Sequence, residues 1–313
     1  MKNSSIFSLT FLFSVLLSCT VQGQCPAGIS PCTCQDPKDG GVLVQCSSPA
    51  SGPRVTSALE TMSQNQQWDL HLNSMNLVEL PPTVKSVMSL RLSNCVLGRL
   101  LKTSSVLVWP KLNEVVIESS RIVEDPWSQL KGARILQSLK VSDFSMRSIG
   151  QSFRKVPPSV EYLDLRKTGT TRLEPGCMAH LTNLLYVFMA DMPLAEFPRA
   201  ALPTELSQLH TFILGNTLIE KLEPNFFDGM PKLEVLMLNG NKFTTLSSHL
   251  FMPLKTHLTH LLAERNPLQC DCNLLWLKKN FQHKRTIKVM ATCYDASLKE
   301  FRAVMKINEE DYC

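Results

Sequence analysis

The chain has 313 residues, of which 44 % are hydrophobic and 19 % charged, with 13 Gly, 19 Pro and 11 Cys. These values exclude a collagen-like or wholly disordered protein. The formal net charge is only +5, and the basic residues are scattered without a run of five. Binding to nucleic acid or to an acidic membrane surface is therefore not expected.

The N-terminus resembles a secretory signal. Lys2 precedes an apolar run over residues 6–17, and a short polar stretch follows up to Gln24. The run is too short to span a bilayer but fits the core of a signal peptide. We predict that residues 1–23 are a signal peptide and that the product is secreted. No later apolar segment has transmembrane length, and no hydrophobic tail ends the chain, so no membrane anchor is expected.

Ten cysteines follow the predicted signal, and eight of them gather at the two ends of the chain. In a secreted protein such clusters indicate disulfide-bonded caps. Zinc binding is disfavoured, because the spacings are not those of zinc fingers. Spacing alone leaves three pairings open within each group of four. The two groups are Cys25, Cys32, Cys34 and Cys46, and Cys270, Cys272, Cys293 and Cys313.

The segment between the two cysteine groups is a repeat with the pattern L-x-x-L-x-L-x-x-N-x-L. The clearest unit is LEVLMLNGNKFTTL, residues 233–246. We predict about nine repeats over residues 59–266, an N-terminal cap over 24–58 and a C-terminal cap over 267–313. The fourth position of the pattern recurs at steps of 20 to 25 residues, at Leu70, Leu90, Val115, Leu139, Leu163, Val187, Phe212, Leu236 and Leu261.

Each x-L-x-L-x core predicts a short strand whose leucines point inward. Successive repeats then stack into one curved, parallel sheet, which gives an α/β solenoid with a shared apolar core. The ninth position usually carries Asn, but here only Asn241 and Asn266 match. Met75, Phe144 and Met192 occupy the same position and lack a hydrogen-bonding side chain. We therefore expect the turns to be irregular at these three residues.

The two remaining cysteines lie within the repeats. Cys95 occupies a ninth position, which predicts an inward-facing structural thiol. Cys177 follows Pro175-Gly176 in the return segment of a repeat three units away. Because strands are spaced by about 4.8 Å, this separation exceeds the reach of a disulfide. We predict that Cys95 and Cys177 do not pair with each other.

Both caps resemble those of extracellular leucine-rich-repeat proteins. The N-terminal group has the form CP(x)₄PCTC, residues 25–34, followed by Cys46. The C-terminal group has the form NPLQCDCNLLWL, residues 266–277, followed by Cys293 and Cys313. Toll-like ectodomains, Slit, small proteoglycans and lamprey variable receptors share this layout. The resemblance implies the pairings Cys25–Cys34, Cys32–Cys46, Cys270–Cys293 and Cys272–Cys313.

The form of the N-terminal cap, followed by irregular repeats, is also similar to a narrower group. These are arthropod proteins related to the leucine-rich, non-catalytic subunit of the Oplophorus luciferase. In that group the repeat chain accompanies a separate catalytic chain. The resemblance implies that an enzyme subunit could be the partner of this protein.

The outward-facing strand positions predict where a ligand would bind, because solenoids of this class use their concave wall. In the N-terminal half these positions carry charges of both signs, which indicates a solvated surface or a polar rim that steers a partner. In the C-terminal half they are apolar and aromatic. The predicted binding patch consists of Tyr162, Tyr186, Phe188, Ile213, Val235, Met237 and Leu262.

Such a patch favours a protein or lipid-like ligand. The alternative is that the curvature of the solenoid or the C-terminal cap covers the patch, or that the register slips by one residue and turns some of these side chains inward. No recognised catalytic motif is present, so we expect neither enzyme activity nor a cofactor or metal ion. The predicted function is a secreted, non-catalytic module that recognises an extracellular protein. The alternatives are a stabilising subunit of a secreted enzyme and a matrix component.

Overall fold

The computed structural model describes residues 25–35, 41–47, 52–62, 67–101, 109–281 and 287–313. The predicted signal peptide lies outside these residues. Within them, no helix is both long and apolar enough to cross a bilayer. The fold is dominated by one large sheet of twelve strands.

Eleven of these strands run parallel, and the first strand pairs antiparallel with the second. In chain order within the sheet they are β1 (Cys32–Gln35), β2 (Val42–Ser47), β3 (Trp68–Asn73), β5 (Val87–Ser93), β7 (Glu114–Glu118), β9 (Ser138–Ser142), β11 (Tyr162–Arg166), β13 (Tyr186–Ala190), β14 (Thr211–Gly215), β15 (Val235–Met237), β16 (His260–Leu262) and β17 (Lys288–Met290).

Shorter strands form three small sheets among the described residues. One contains β4 (Asn76–Leu77), β6 (Val96–Leu97) and β8 (Arg121–Ile122), one contains β10 (Ser148–Ile149) and β12 (Arg172–Leu173), and the third contains β18 (Thr292–Asp295) and β19 (Glu300–Ala303). The α-helices are α1 (Gly52–Glu60), α2 (Pro126–Leu130), α3 (Ser248–Phe251), α4 (Leu275–Phe281) and α5 (Glu309–Tyr312). The 3₁₀ turns are Pro82–Ser86, Gln151–Lys155, Arg199–Ala201, Met252–Leu254, Cys272–Leu274 and Val304–Lys306.

The predicted repeat register is confirmed by the strand pairing. Leu70 pairs with Leu90, and the pairing continues through every predicted fourth position to Leu261. All nine of these residues are buried. The fold is therefore an α/β leucine-rich-repeat solenoid in which each repeat adds one strand to a continuous apolar core. The predicted domain boundaries stay a prediction.

Aromatic side chains fill the core of the last repeats and continue into the C-terminal cap. Phe212 contacts Phe226 and Phe227, with ring centroids 5.7 and 6.4 Å apart. Phe227 lies 5.8 Å from Phe251, which stacks on Trp276 at 5.3 Å. Because Trp276 belongs to the cap, this chain of rings joins the repeats to the cap.

The turn at Phe144 is irregular, as predicted. Arg121 of β8 directly follows the ninth-position residue Ser120, whereas Ser148 of β10 lies four residues after Phe144. The small sheet of the first three repeats accordingly ends at β8. The buried Phe144 ring instead packs against Trp127, with centroids 6.2 Å apart. The same prediction is wrong for Met75, because β4 begins directly after it and Met75 O accepts from Val96 N at 2.8 Å, as in a regular repeat.

A left-handed residue precedes the ninth position in every repeat. Eight of these nine residues are not glycine and have φ between 45° and 57°. The ninth is Gly240, with φ 67°. This conformation reverses the chain after the strand. Most of the nine residues are of types that adopt a positive φ at a modest energetic cost. The eight residues are Ser74, Asn94, Ser119, Asp143, Lys167, Asp191, Asn216 and Arg265.

The four disulfides predicted from the cap resemblance are all present. Cα–Cα distances are 5.6 Å for Cys25–Cys34, 4.2 Å for Cys32–Cys46, 5.0 Å for Cys270–Cys293 and 5.4 Å for Cys272–Cys313. Cys95 and Cys177 are free and buried, which confirms that they do not pair. The Cys95 thiol donates to the backbone oxygens of Ser93 and Leu72 at 3.2 and 3.4 Å. It is a structural residue of the turn, as predicted.

Candidate binding face

The outer face of the main sheet is the face turned away from the leucine core. It presents two columns of side chains, represented in β11 by Tyr162 and Asp164. All seven residues of the predicted patch lie on this face, and all seven are at least partly exposed. The one-residue slip considered above is therefore excluded, because it would have buried them.

Three aromatic residues form one end of the patch. The Tyr162 ring lies 5.1 Å from the Phe188 ring and 6.0 Å from the Tyr186 ring, measured between centroids. Tyr186 is 38 % exposed, so its ring is available to a partner. The two tyrosines also offer hydroxyl groups beside the apolar surface, a combination favoured at protein interfaces.

The aliphatic part of the patch continues along the second column. Phe188 pairs with Ile213, Ile213 with Met237 and Met237 with Leu262. The column then extends into the C-terminal cap, because Leu262 pairs with Met290 of β17. Met290 is half-buried and belongs to the same surface.

Met290 is not among the predicted patch residues, because β17 carries no repeat consensus. The available signal was the alternation Ile287-Lys288-Val289-Met290, which is typical of a strand with one buried face. The cap therefore lengthens the patch, and the expectation that it could cover these residues is not met.

The polar half of the outer face is organised by Glu114. Its carboxylate accepts hydrogen bonds from Lys140 Nζ at 2.7 Å and from Ser89 Oγ at 3.0 Å. Burial raises the pKa of Glu114, but the hydrogen bonds from Lys140 and Ser89, together with the positive charges of Lys140 and Arg91, outweigh it, so this pKa lies below its ordinary value. Lys140 Nζ also lies 5.2 Å from the centre of the Tyr162 ring. This cation–π contact joins the polar half to the aromatic end of the patch.

Two outward positions in the N-terminal half of this face, Asp164 of β11 and Val116 of β7, are buried, which contradicts the interpretation of that half as a solvated surface. Asp164 is buried, because the guanidinium of Arg166 covers it; Arg166 Nε donates to Asp164 Oδ1 at 2.7 Å, and Nη2 bonds Oδ2. The charge of Asp164 is thus paired within the strand, and the charged group that this strand exposes to solvent is Arg166.

The described residues contain no group of three or more His, Cys, Asp or Glu side chains that could hold a metal ion. The outer face carries an apolar column, two phenols, and the ion pairs Glu114–Lys140 and Asp164–Arg166.

Comparisons with known proteins agree with the architecture. Residues 207–268 match the family model described as Leucine rich repeat. The chain is 25 % identical to keratocan of Mus musculus over 205 residues, which covers 56 % of this chain and 56 % of keratocan. It is 36 % identical to the NT-3 growth factor receptor of Gallus gallus over 70 residues, covering 22 % of this chain and 8 % of the receptor. With vasorin of Mus musculus it shares 31 % over 119 residues, covering 38 % and 17 %.

Each of these relatives is matched over less than two thirds of its own length. Among solved structures, a chain from the octameric complex of Latrophilin 3, Unc5D and the leucine-rich-repeat part of FLRT2 superposes with a TM-score of 0.55. The identity is 20 %, over 83 % of this chain and 84 % of that one. This likeness concerns the fold.

Repeat, sheet register and disulfide caps together define the architecture: the chain folds as a leucine-rich-repeat solenoid with a cysteine-rich cap at each end. The relatives with which it shares this pattern support an extracellular leucine-rich-repeat protein. The narrower resemblance to luciferase-associated proteins is not supported by the relatives described above.

Proposed function

We propose that this protein is a secreted, non-catalytic recognition module that binds an extracellular protein through the outer-face patch. The observation that carries the proposal is the unbroken apolar column Phe188, Ile213, Met237, Leu262 and Met290, held in register on five neighbouring strands. All five side chains are partly exposed. Partly exposed apolar residues in a contiguous surface are a recurrent mark of protein interfaces.

The relatives support this proposal at the level of class. One carries the name of a growth factor receptor, and the solved neighbour comes from a complex of several proteins. The four disulfides also favour an oxidising compartment outside the cytosol. The partner we propose is a folded protein with a complementary apolar surface bordered by polar groups.

A photocrosslinking amino acid placed at Phe188 would test the proposal. The full chain is secreted from cultured cells and irradiated in the native medium, and the crosslinked partner is identified by mass spectrometry. The matched control carries the same amino acid at Ile135, which is 49 % exposed but lies outside the main sheet. We expect a partner that is captured from Phe188 and not from Ile135.

Affinity for the captured partner is then measured with the double variant Phe188→Asp/Met237→Asp. Two charges in the centre of an apolar interface should weaken binding by at least tenfold. Ile135→Asp should leave the affinity unchanged, and thermal melting should show that all variants are folded. Equal affinity of the double variant and the unmodified protein would contradict the proposal.

A further inference from the structure

The C-terminal cap contains a two-stranded sheet with one open edge. On one side, β18 is covered by the preceding segment: Tyr294 N donates to Leu268 O at 2.7 Å, and Cys270 N donates to Tyr294 O at 3.0 Å. On its other side β18 pairs antiparallel with β19. Among the residues that the structure describes, β19 pairs with β18 alone. Its outer edge is therefore available for another strand.

The residue at the centre of this edge strand is strongly apolar. Phe301 is 69 % exposed, and its ring packs edge-on against Tyr294, with centroids 5.4 Å apart. Leu298, in the turn that leads into β19, is 58 % exposed. An exposed aromatic residue on an open strand edge is unusual in a protein that stays alone, because such edges invite pairing.

We propose that β19 pairs antiparallel with β19 of a second copy of this chain, in a two-fold symmetric dimer centred on Phe301. In this arrangement Phe301 faces Phe301 of the second copy. Glu300 then lies directly opposite Arg302 of the second copy, and this pair of opposite charges occurs twice. The surface is separate from the outer-face patch and uses none of its residues.

Charge complementarity selects this register over the neighbouring symmetric ones. A two-fold axis in an antiparallel pair must place one residue opposite its own copy. A register centred on Glu300 would set two glutamates against each other, and one centred on Arg302 would set two arginines against each other. Like charges directly opposite destabilise a strand pair. Only the register on Phe301 combines an apolar centre with opposite charges at both flanks.

The side chains that this register uses are accessible. Glu300 is exposed and Arg302 is partly exposed. Arg302 Nη1 donates to the Tyr312 hydroxyl at 2.9 Å and lies 3.7 Å from Asp295 Oδ2, and Arg302 Nε lies 3.9 Å from Glu300 Oε1 of the same chain. In the dimer, Glu300 of the second copy would join this cluster. Tyr312 belongs to helix α5, so α5 contacts the face of the sheet that carries Arg302. Phe301, the neighbouring residue in the strand, lies on the opposite face. A four-residue strand pair gives an interface at the small end of the range for specific complexes. We therefore expect a weak dimer with a dissociation constant in the micromolar range or above.

Sedimentation velocity of the secreted protein over a concentration series tests the dimer. The unmodified protein should shift from monomer to dimer as its concentration rises. Glu300→Arg alone and Arg302→Glu alone should each weaken dimerisation by at least tenfold, because each creates two like-charge pairs. A one-to-one mixture of the two variants should form a heterodimer, since every position then again faces the opposite charge.

A cysteine test works even where Arg302→Glu perturbs the cap. Phe301→Cys should form an intermolecular disulfide under mild oxidation, because position 301 faces itself across the axis. The matched control Leu298→Cys, exposed in the same cap but not opposite its own copy, should crosslink much less. A protein that stays monomeric at every concentration, or equal crosslinking at positions 298 and 301, would overturn the proposal.

Discussion

The side-chain oxygen of Asn241 accepts a hydrogen bond from the backbone N–H of Thr217, 3.2 Å away in the preceding repeat. The Asn241 amide nitrogen donates to Leu214 O and Leu238 O, both at 2.8 Å. Asn241 is buried, so one side chain satisfies three backbone groups that water does not reach. The asparagine of the repeat consensus thereby holds neighbouring turns together.

Replacing this asparagine should be costly. Asn241→Leu removes all three hydrogen bonds and leaves the backbone groups buried, so we expect a loss of about 2–4 kcal/mol in the free energy of unfolding. Urea unfolding followed by circular dichroism measures the loss. The control Asn225→Leu, at an exposed position, should change stability by less than about 0.5 kcal/mol. Similar values for the two variants would show that the bonds around Asn241 contribute little.

Gly229 is predicted to tolerate no side chain. Its φ is 76°, and an added Cβ would lie 2.3 Å from the backbone oxygen of Thr204. That oxygen is held by Arg199 Nη2 at 2.8 Å, so it is not free to move away. Gly229→Ala should therefore lower the free energy of unfolding by about 3 kcal/mol.

Gly169→Ala is the matched control for this prediction. Gly169 has a similar φ of 66°, but no atom lies within 4 Å of its added Cβ. This variant should show only the backbone cost, about 1–2 kcal/mol. The difference between the two variants isolates the clash with Thr204, and equal melting temperatures would contradict the steric argument.

The ion pair of Glu114 with Lys140 should make stability depend on pH in the acid range. Because the folded pKa of Glu114 is below its ordinary value of 4.5, its stabilising effect is present above that value. It is lost as the pH falls through the lowered folded pKa. Glu114→Gln should cost up to about 1 kcal/mol at neutral pH, since the pair is partly exposed.

Urea unfolding of both proteins between neutral pH and pH ~3 checks this. The cost of Glu114→Gln should shrink as the solution becomes acidic. The control Glu220→Gln replaces an exposed carboxylate outside the ion pairs of the described residues, and its effect should stay near zero throughout. A cost that is independent of pH would assign the effect of Glu114 to packing rather than charge.

The two free thiols should be inert in the folded protein. Burial raises the pKa of Cys95, and it raises that of Cys177 to about 11. At neutral pH the reactive thiolate of Cys177 is then only ~10⁻⁴ of the total. Iodoacetamide should label neither peptide in native protein but both in guanidinium chloride without reductant, as read by mass spectrometry. Rapid native labelling of Cys177 would mean that its repeat opens readily.

Much of the fold followed from the spacing of apolar residues. The strand register was predictable because each inward position, such as Leu163 or Leu236, must meet its equivalent in the next repeat to share one core. The disulfide pairings were not fixed by spacing, which left three choices per cap, and came instead from the family resemblance. The seven patch residues were placed on the outer face by the same alternation, although their role in binding stays a prediction.

The sequence by itself determined the periodic features: the repeat, its inward leucines and the outward columns, because each depends on residues close in the chain. The tertiary structure alone decided the features that join distant segments. Met290 extends the apolar surface only because β17 pairs with β16. The carboxylate of Asp164 is buried and charge-paired only because the guanidinium of Arg166 covers it. Likewise, β18 has both edges paired, by residues 268–270 on one side and β19 on the other, whereas the outer edge of β19 has no strand partner among the described residues. Such contacts arise from packing in three dimensions, which local periodicity does not encode.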